Sequence, residues 1–212
     1  MVRIISLIIL LFTNQIYAEN IGKTTGFKIP RFVSLKSSDV NLRVGPSENY
    51  PKILNYKQKN LPIEIIKEHS GWRQIQDIDG NSGWILGSLL KGDRYGIIIS
   101  NSNEESKLFN FPKGTQIGSI GKNNIVKIKK CLTQWCLIQY QKIEGWIKKE
   151  NIWGVYKNEI YKINFTQPLI EIYWKFMAYY TKKLNWLGRQ DSNLRMSTPK
   201  TDALPLGDAP RN

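Results

Sequence analysis

Ile63-Glu64-Ile65-Ile66-Lys67, Trp72-Arg73-Gln74-Ile75-Gln76 and Gly83-Trp84-Ile85 form a series that occurs twice in this chain. It returns as Val126-Lys127-Ile128-Lys129-Lys130, Trp135-Cys136-Leu137-Ile138-Gln139 and Gly145-Trp146-Ile147. The offset is 63 residues from Trp72 to Trp135 and from Ile65 to Ile128, and 62 from Trp84 to Trp146. A period longer than that of stacked solenoids, present only twice, indicates two tandem copies of one small domain. Apolar and polar residues alternate inside each copy, as in strands buried on one face. The expected fold is all-β. A unit of about 60 residues suits a small five-stranded barrel and leaves no room for a deep active-site cavity.

The flanks read differently. Met1-Val2-Arg3 carries one positive charge, Ile4 to Phe12 is nearly all apolar, and Ile16-Tyr17-Ala18 ends in a small residue. That order is expected of a secretory signal peptide over residues 1–18, cleaved after Ala18. The apolar run is short for a bilayer span, which makes an uncleaved anchor the alternative. Residues 19–31 read as a flexible lead-in, 32–94 as the first copy and 95–159 as the second. Gly45-Pro46-Ser47 and Asp79-Gly80-Asn81 supply turn signals in the first copy.

In the tail, 160–212, Leu169, Ile172, Tyr173, Phe176 and Tyr180 share one helical face, with Glu171 and Lys175 four residues apart. With Lys182-Lys183 beside it, a membrane-surface helix is one reading. Gly188 to Arg195 and Pro199 to Pro210 resemble strings produced when a reading frame runs into an adjacent transfer-RNA gene. On that reading 188–212 is a spurious extension, and the tail is expected to be disordered or partly helical and without function.

The whole chain has a formal net charge of +14. Residues 19–160 hold 22 Lys or Arg against 13 Asp or Glu, a surplus of nine. Such a surface favours anionic partners: an acidic wall polymer, an acidic protein, or peripheral contact with an anionic membrane. Export argues against nucleic acid.

Export also places Cys131 and Cys136 in an oxidising compartment, where a structural disulfide across a hairpin mouth is expected. Closing so small a loop contributes about 2 kcal/mol. Two cysteines without C-x-x-C spacing or further ligands make a poor metal or redox site. Through the 63-residue offset, Cys131 and Cys136 correspond to Glu68 and Arg73. A cross-strand ion pair is therefore expected there in the first copy, contributing roughly 0.2–1 kcal/mol if exposed.

Asn41-Leu42-Arg43-Val44-Gly45-Pro46-Ser47, followed by Tyr50-Pro51 and Ile53, resembles the opening strand and long first loop of bacterial SH3-like domains. Ser70-Gly71-Trp72-Arg73-Gln74-Ile75 and Gly83-Trp84-Ile85 are similar to that family's central hairpin and closing strand. The second copy, with Cys131, Trp135-Cys136 and Trp153-Gly154-Val155-Tyr156, resembles a two-domain exported subset. The resemblance implies two SH3-like barrels and a non-catalytic module that binds peptidoglycan, its peptide stems or envelope proteins. It implies a ligand groove around Arg43, Tyr50, Trp72 and Trp84. In the second copy Phe109 stands in the place of Arg43 and Phe111 in the place of Gly45, so a packing or spacer role is expected there.

Each of these residues also has a plainer reading. Trp84 and Trp146 fit hairpin packing as well as ligand stacking. Arg43 can clamp a carboxylate or pin its own loop. His69 is the only histidine and lies in a polar turn. One histidine and two paired cysteines supply neither a metal-ligand set nor a thiol nucleophile, so no enzyme and no cofactor are expected. The expected protein is exported to the periplasm and binds a cell-wall polymer. A protein-interaction adaptor and a membrane-tethered structural protein are the alternatives.

Overall fold

In the computed structural model, residues 20–100 and 105–194 are described, with side chains to 184. The N-terminal 1–18 segment and most of the expected spurious extension lie outside the described residues.

The alternation that marks the repeat becomes two antiparallel sheets of seven strands each. The first comprises β1 (Arg31–Leu35), β2 (Val40–Arg43), β3 (Lys52–Tyr56), β4 (Pro62–His69), β5 (Trp72–Gln76), β6 (Ser82–Leu86) and β7 (Leu90–Lys91). Its order is β3-β2-β6-β5-β4-β1-β7. The second comprises β8 (Tyr95–Ile98), β9 (Ser106–Phe109), β10 (Gln116–Ile120), β11 (Ile125–Cys131), β12 (Trp135–Tyr140), β13 (Ile143–Lys148) and β14 (Ile152–Trp153). It runs β10-β9-β13-β12-β11-β8-β14, the same path.

Each sheet coils around its own apolar cluster: Val33, Leu35, Val40, Leu42, Ile63, Ile65, Ile75 and Ile85 in the first. Ile98, Leu108, Ile120, Val126, Ile128, Ile138, Ile147 and Ile152 fill the second. The end strands of each sheet are not paired with one another among the described residues, so neither sheet closes into the expected barrel. The strand count also exceeds five, because two-residue strands such as Leu90–Lys91, entered from a 3-10 turn, carry no alternation to read.

A β-bulge decides which side chains enter the core. The pairing of β4 with β5 shifts register between Ile65 and Lys67, and that of β11 with β12 between Ile128 and Lys130. An extra residue reverses the in–out phase beyond it. Glu68, which simple alternation from Ile65 would turn outward, therefore faces inward opposite Arg73; Cys131 does the same opposite Cys136. Cys131 and Cys136 form a disulfide and are both fully buried.

The expected ion pair is present, with Arg73 Nε 3.6 Å from Glu68 Oε1, but it is not an exposed one: the Glu68 side chain is 1% exposed. Residues 20–30, read as a flexible lead-in, fold back onto this carboxylate. Thr24 N and Thr25 N donate to Glu68 Oε2 at 3.1 and 3.0 Å, Thr25 Oγ1 to Oε1 at 2.6 Å, and Arg31 Nη2 to Oε1 at 2.7 Å. Burial alone would raise the Glu68 pKa; these hydrogen bonds outweigh it and hold the carboxyl down at about 2. In the second unit, reducing the Cys131–Cys136 bond is expected to lower stability by about 2 kcal/mol. Denaturant unfolding with and without a thiol reductant, against a Cys131→Ser Cys136→Ser variant, measures it.

The two sheets meet through aromatic side chains. The Phe32 ring lies 5.1 Å from that of Trp153 and 4.8 Å from that of Tyr156, with the Arg94 guanidinium 5.8 Å away. Tyr156 Oη donates to Glu64 Oε1 at 2.6 Å, and Arg94 bonds Gly154 O at 2.8 Å and Glu159 Oε2 at 3.0 Å. Burial first, then the Glu64 carboxylate, raises the Tyr156 pKa and keeps its proton in place.

After the second sheet comes α1 (Gln167–Leu194), the helical rather than the disordered of the two expectations for the tail. The stripe named from the sequence faces outward: Leu169 is 70% exposed, Phe176 56% and Tyr180 44%. The inner side is the neighbouring stripe of Ile170, Trp174 and Met177. No helix among the described residues is long and apolar enough to cross a membrane.

Candidate binding faces

On β5, side chains alternate between Arg73 and Ile75, which point into the core, and Trp72 and Gln74, which do not. Register then extends the outer face. Trp72 pairs with His69 and Leu86, Gln74 with Trp84, and Trp84 with Arg43. Three of the four residues expected to bind ligand, Arg43, Trp72 and Trp84, thus share one face across β2, β6 and β5. Both tryptophans are partly exposed. Exposed His69 joins them, its ring 6.3 Å from that of Trp84.

Tyr50 belongs to the adjoining loop. Its ring covers Gly45, where an added Cβ would come within 2.6 Å of it. Arg43 Nη1 donates to the carbonyls of Glu48 and Tyr50, each at 2.8 Å. Arg43 therefore pins the loop that carries Tyr50.

The second sheet repeats this face with different chemistry. Phe109 pairs with Trp146 as Arg43 does with Trp84, and Leu137 occupies the place of Gln74. The exchange turns a mixed polar–aromatic surface into an apolar one, with Leu132, Trp135, Trp146, Phe109, Phe111 and Leu137 in one cluster. α1 covers it. The Trp174 ring stands edge-on to Trp146 at 5.1 Å, and Trp146 is left 4% exposed. Gln167 anchors the start of the helix, buried and accepting from Lys130 Nζ at 3.3 Å.

The bacterial SH3 domain matches this chain over residues 36–92 and 121–154. Those two stretches carry the bacterial SH3 domain. The second match leaves out β8 to β10, which include Phe109 and lead into Phe111. The chain is also 25% identical over 137 residues to the Bacillus subtilis protein named "Putative N-acetylmuramoyl-L-alanine amidase YrvJ". That alignment covers 56% of this chain and 24% of the relative, so the chain spans about a quarter of that protein's length. Among solved structures, NlpC2 from Trichomonas vaginalis aligns at 15% identity and a TM-score of 0.27, covering 65% of this chain and 51% of that one. NlpC1 from the same organism aligns at 15% identity and a TM-score of 0.25, covering 62% and 48%. Likeness at those scores carries no argument.

The second SH3 domain also holds a feature with no counterpart among the expected site residues. An open cleft of about 850 Å³ lies beside the β11–β12 turn. Thr133, Gln134, Trp135, Ile152, Val155 and Asn158 line it together with Lys113, Lys148, Lys149 and Lys157. Its one carboxylate, Glu150, accepts from Lys148 Nζ at 3.0 Å. Lys149 is 6% exposed, and its Nζ donates to Lys157 O at 3.2 Å and Glu159 O at 2.7 Å. Burial lowers the Lys149 pKa, and the Glu159 charge offsets only part of that. Sequence reading missed this cleft because Lys148-Lys149 looks like a solvated charge run, while Lys113 and Lys157 are far apart along the chain.

Proposed function

We propose that this chain is a non-catalytic binding module of the bacterial cell envelope that recognises peptidoglycan through the outer face of its first SH3 domain. The difference between the two copies of that face carries the reading. In the second domain the face is apolar and already covered by α1, whereas in the first it is polar–aromatic and open, with Trp72 and Trp84 accessible. Partly exposed aromatic rings beside amide and imidazole groups suit stacking on sugars or peptide planes. The domain family and the amidase name of the Bacillus relative support a wall polymer as the ligand and an exported location. The non-catalytic reading is supported by Cys131 and Cys136 being joined in a disulfide and by the lone His69 facing solvent beside Trp84.

Full-length protein is expected to co-sediment with purified sacculi at moderate salt. Trp84→Ala and Trp72→Ala should each weaken that binding about tenfold, the size of an interface anchor. Arg43→Ala is the less specific variant because Arg43 holds its own loop. Binding that disappears with salt and ignores both tryptophans would sink the proposal. A second reading has its own observation. The covered face of the second domain takes a protein helix, so the open face is also suited to a segment of an envelope protein. Failure to bind sacculi, with Trp84-dependent capture of such a segment, would favour it.

A further inference from the structure

The lysine-lined cleft of the second domain is not required by the fold. The first domain makes the same turn without it: Gly87 N donates to Gly71 O at 2.7 Å, as Lys149 N does to Gln134 O at 2.9 Å. Leu86, Gly87 and Ser88 thus stand where Lys148, Lys149 and Glu150 stand in the second domain. At Gly87 a side chain would meet resistance, because an added Cβ would lie 2.9 Å from Gly71 O and 3.5 Å from Arg73 Cζ. Cys136 replaces that arginine in the second domain, and its sulfur is taken up by the disulfide. The exchange removes a guanidinium from the turn and leaves room for Lys149.

Four lysines and one carboxylate therefore line the cleft, and Glu150 is paired with one of them, Lys148, which leaves a surplus of three positive charges. An ammonium has three donors, and Lys149 directs two of them to backbone carbonyls. Lys149 is the one buried cation of the four, and the three exposed lysines add their positive charge around it, so the cleft favours an anion from outside. The rest of the lining narrows the choice of ligand. Thr133, Gln134 and Asn158 offer hydroxyl and amide groups, while Trp135, Ile152 and Val155 offer apolar wall. A polyhydroxylated ring has both kinds of surface. The volume falls within the range of small-ligand sites, roughly 300–1,000 Å³.

We infer that this cleft is a binding site for an anionic sugar, a glycan unit whose carboxylate or phosphate is held by Lys113, Lys148, Lys149 and Lys157. It is separate from the face proposed for peptidoglycan, and its test uses soluble glycans, so the two stand or fall independently.

Full-length protein titrated calorimetrically with a short oligogalacturonate, a phosphorylated oligomannose and neutral maltotetraose decides the matter. Saturable binding of either anionic probe, at least about tenfold tighter than the neutral one, is expected; whichever binds tighter identifies carboxylate or phosphate as the preferred anion. Lys113→Ala Lys157→Ala, which alters only exposed side chains of the cleft, should weaken it about tenfold. Lys36→Ala Lys59→Ala, which removes the same charge from the first domain, should leave it unchanged. Lys149→Met adds a buried-site variant whose folding is checked by circular dichroism. Equal binding of the neutral probe, equal effects of the two double variants, or binding of neither anion overturns the inference.

Discussion

Glu68→Ala is expected to destabilise the first domain by about 3–5 kcal/mol, the range for removing one partner from a buried charge cluster. The carboxylate is 1% exposed and stands between Arg31 at 2.7 Å and Arg73 at 3.6 Å. Its removal leaves two guanidinium groups without their common anion and two threonine amides without an acceptor. It also frees residues 20–30, which these bonds hold against β4. The effect depends on pH in a defined direction. The folded carboxyl sits at about 2, below its ordinary 4.5, so its stabilisation is fully present above pH 4.5 and is lost as the pH falls toward 2. Thermal melts of the wild type should shift downward through that window more steeply than those of the variant. Parallel curves for the two proteins between pH 4.5 and 2 would show that Glu68 does not supply the linkage.

Phe32→Ala is expected to cost about 3–5 kcal/mol, as for a large aromatic truncated in a packed site. It should also change the form of unfolding. Phe32 is 8% exposed between Trp153, Tyr156 and Arg94, so its ring joins the first domain to the closing segment of the second. With that contact in place the two domains should unfold in one calorimetric transition. Without it the apolar part of the joint is lost, leaving mainly polar links such as Tyr156–Glu64 and Arg94 to Gly154 and Glu159, and two transitions should separate. Two transitions already present in the wild type would mean that the domains are thermodynamically independent. A small, single-transition effect of the variant would place the coupling elsewhere.

How far these features could be read in advance varies with the physics behind each. The repeat and its strands were legible because Ile63, Ile65, Ile75 and Ile85 keep the two-residue period of a one-sided sheet. The correspondence of Glu68–Arg73 with Cys131–Cys136 was legible from the offset alone. Their burial was not. It depends on the bulge after Ile65, and an extra residue in a strand leaves no mark in composition.

The helix exposes a different limit. Leu169, Ile172, Tyr173, Phe176 and Tyr180 have the spacing of a buried stripe, yet the partner surface is built by Trp146 and Trp135, whose contact selects Trp174 instead. At the expected site, Trp72 and Trp84 did fall on one face. Arg43 went to its own loop, because backbone carbonyls of Glu48 and Tyr50 lie within its reach. The cleft could not be read at all, since its lysines converge only after β9 to β14 have paired.

The same strand position in the two domains is secured by unlike chemistry: an ionised carboxylate in one, a sulfur–sulfur bond in the other. Acid protonates the first and leaves the second untouched. A thiol reductant severs the second and has no purchase on the first. Neither stress alone reaches both halves, so a protein built from a duplicated fold has divided its exposure to its surroundings. Only a milieu at once strongly acidic and reducing would attack both domains through this position.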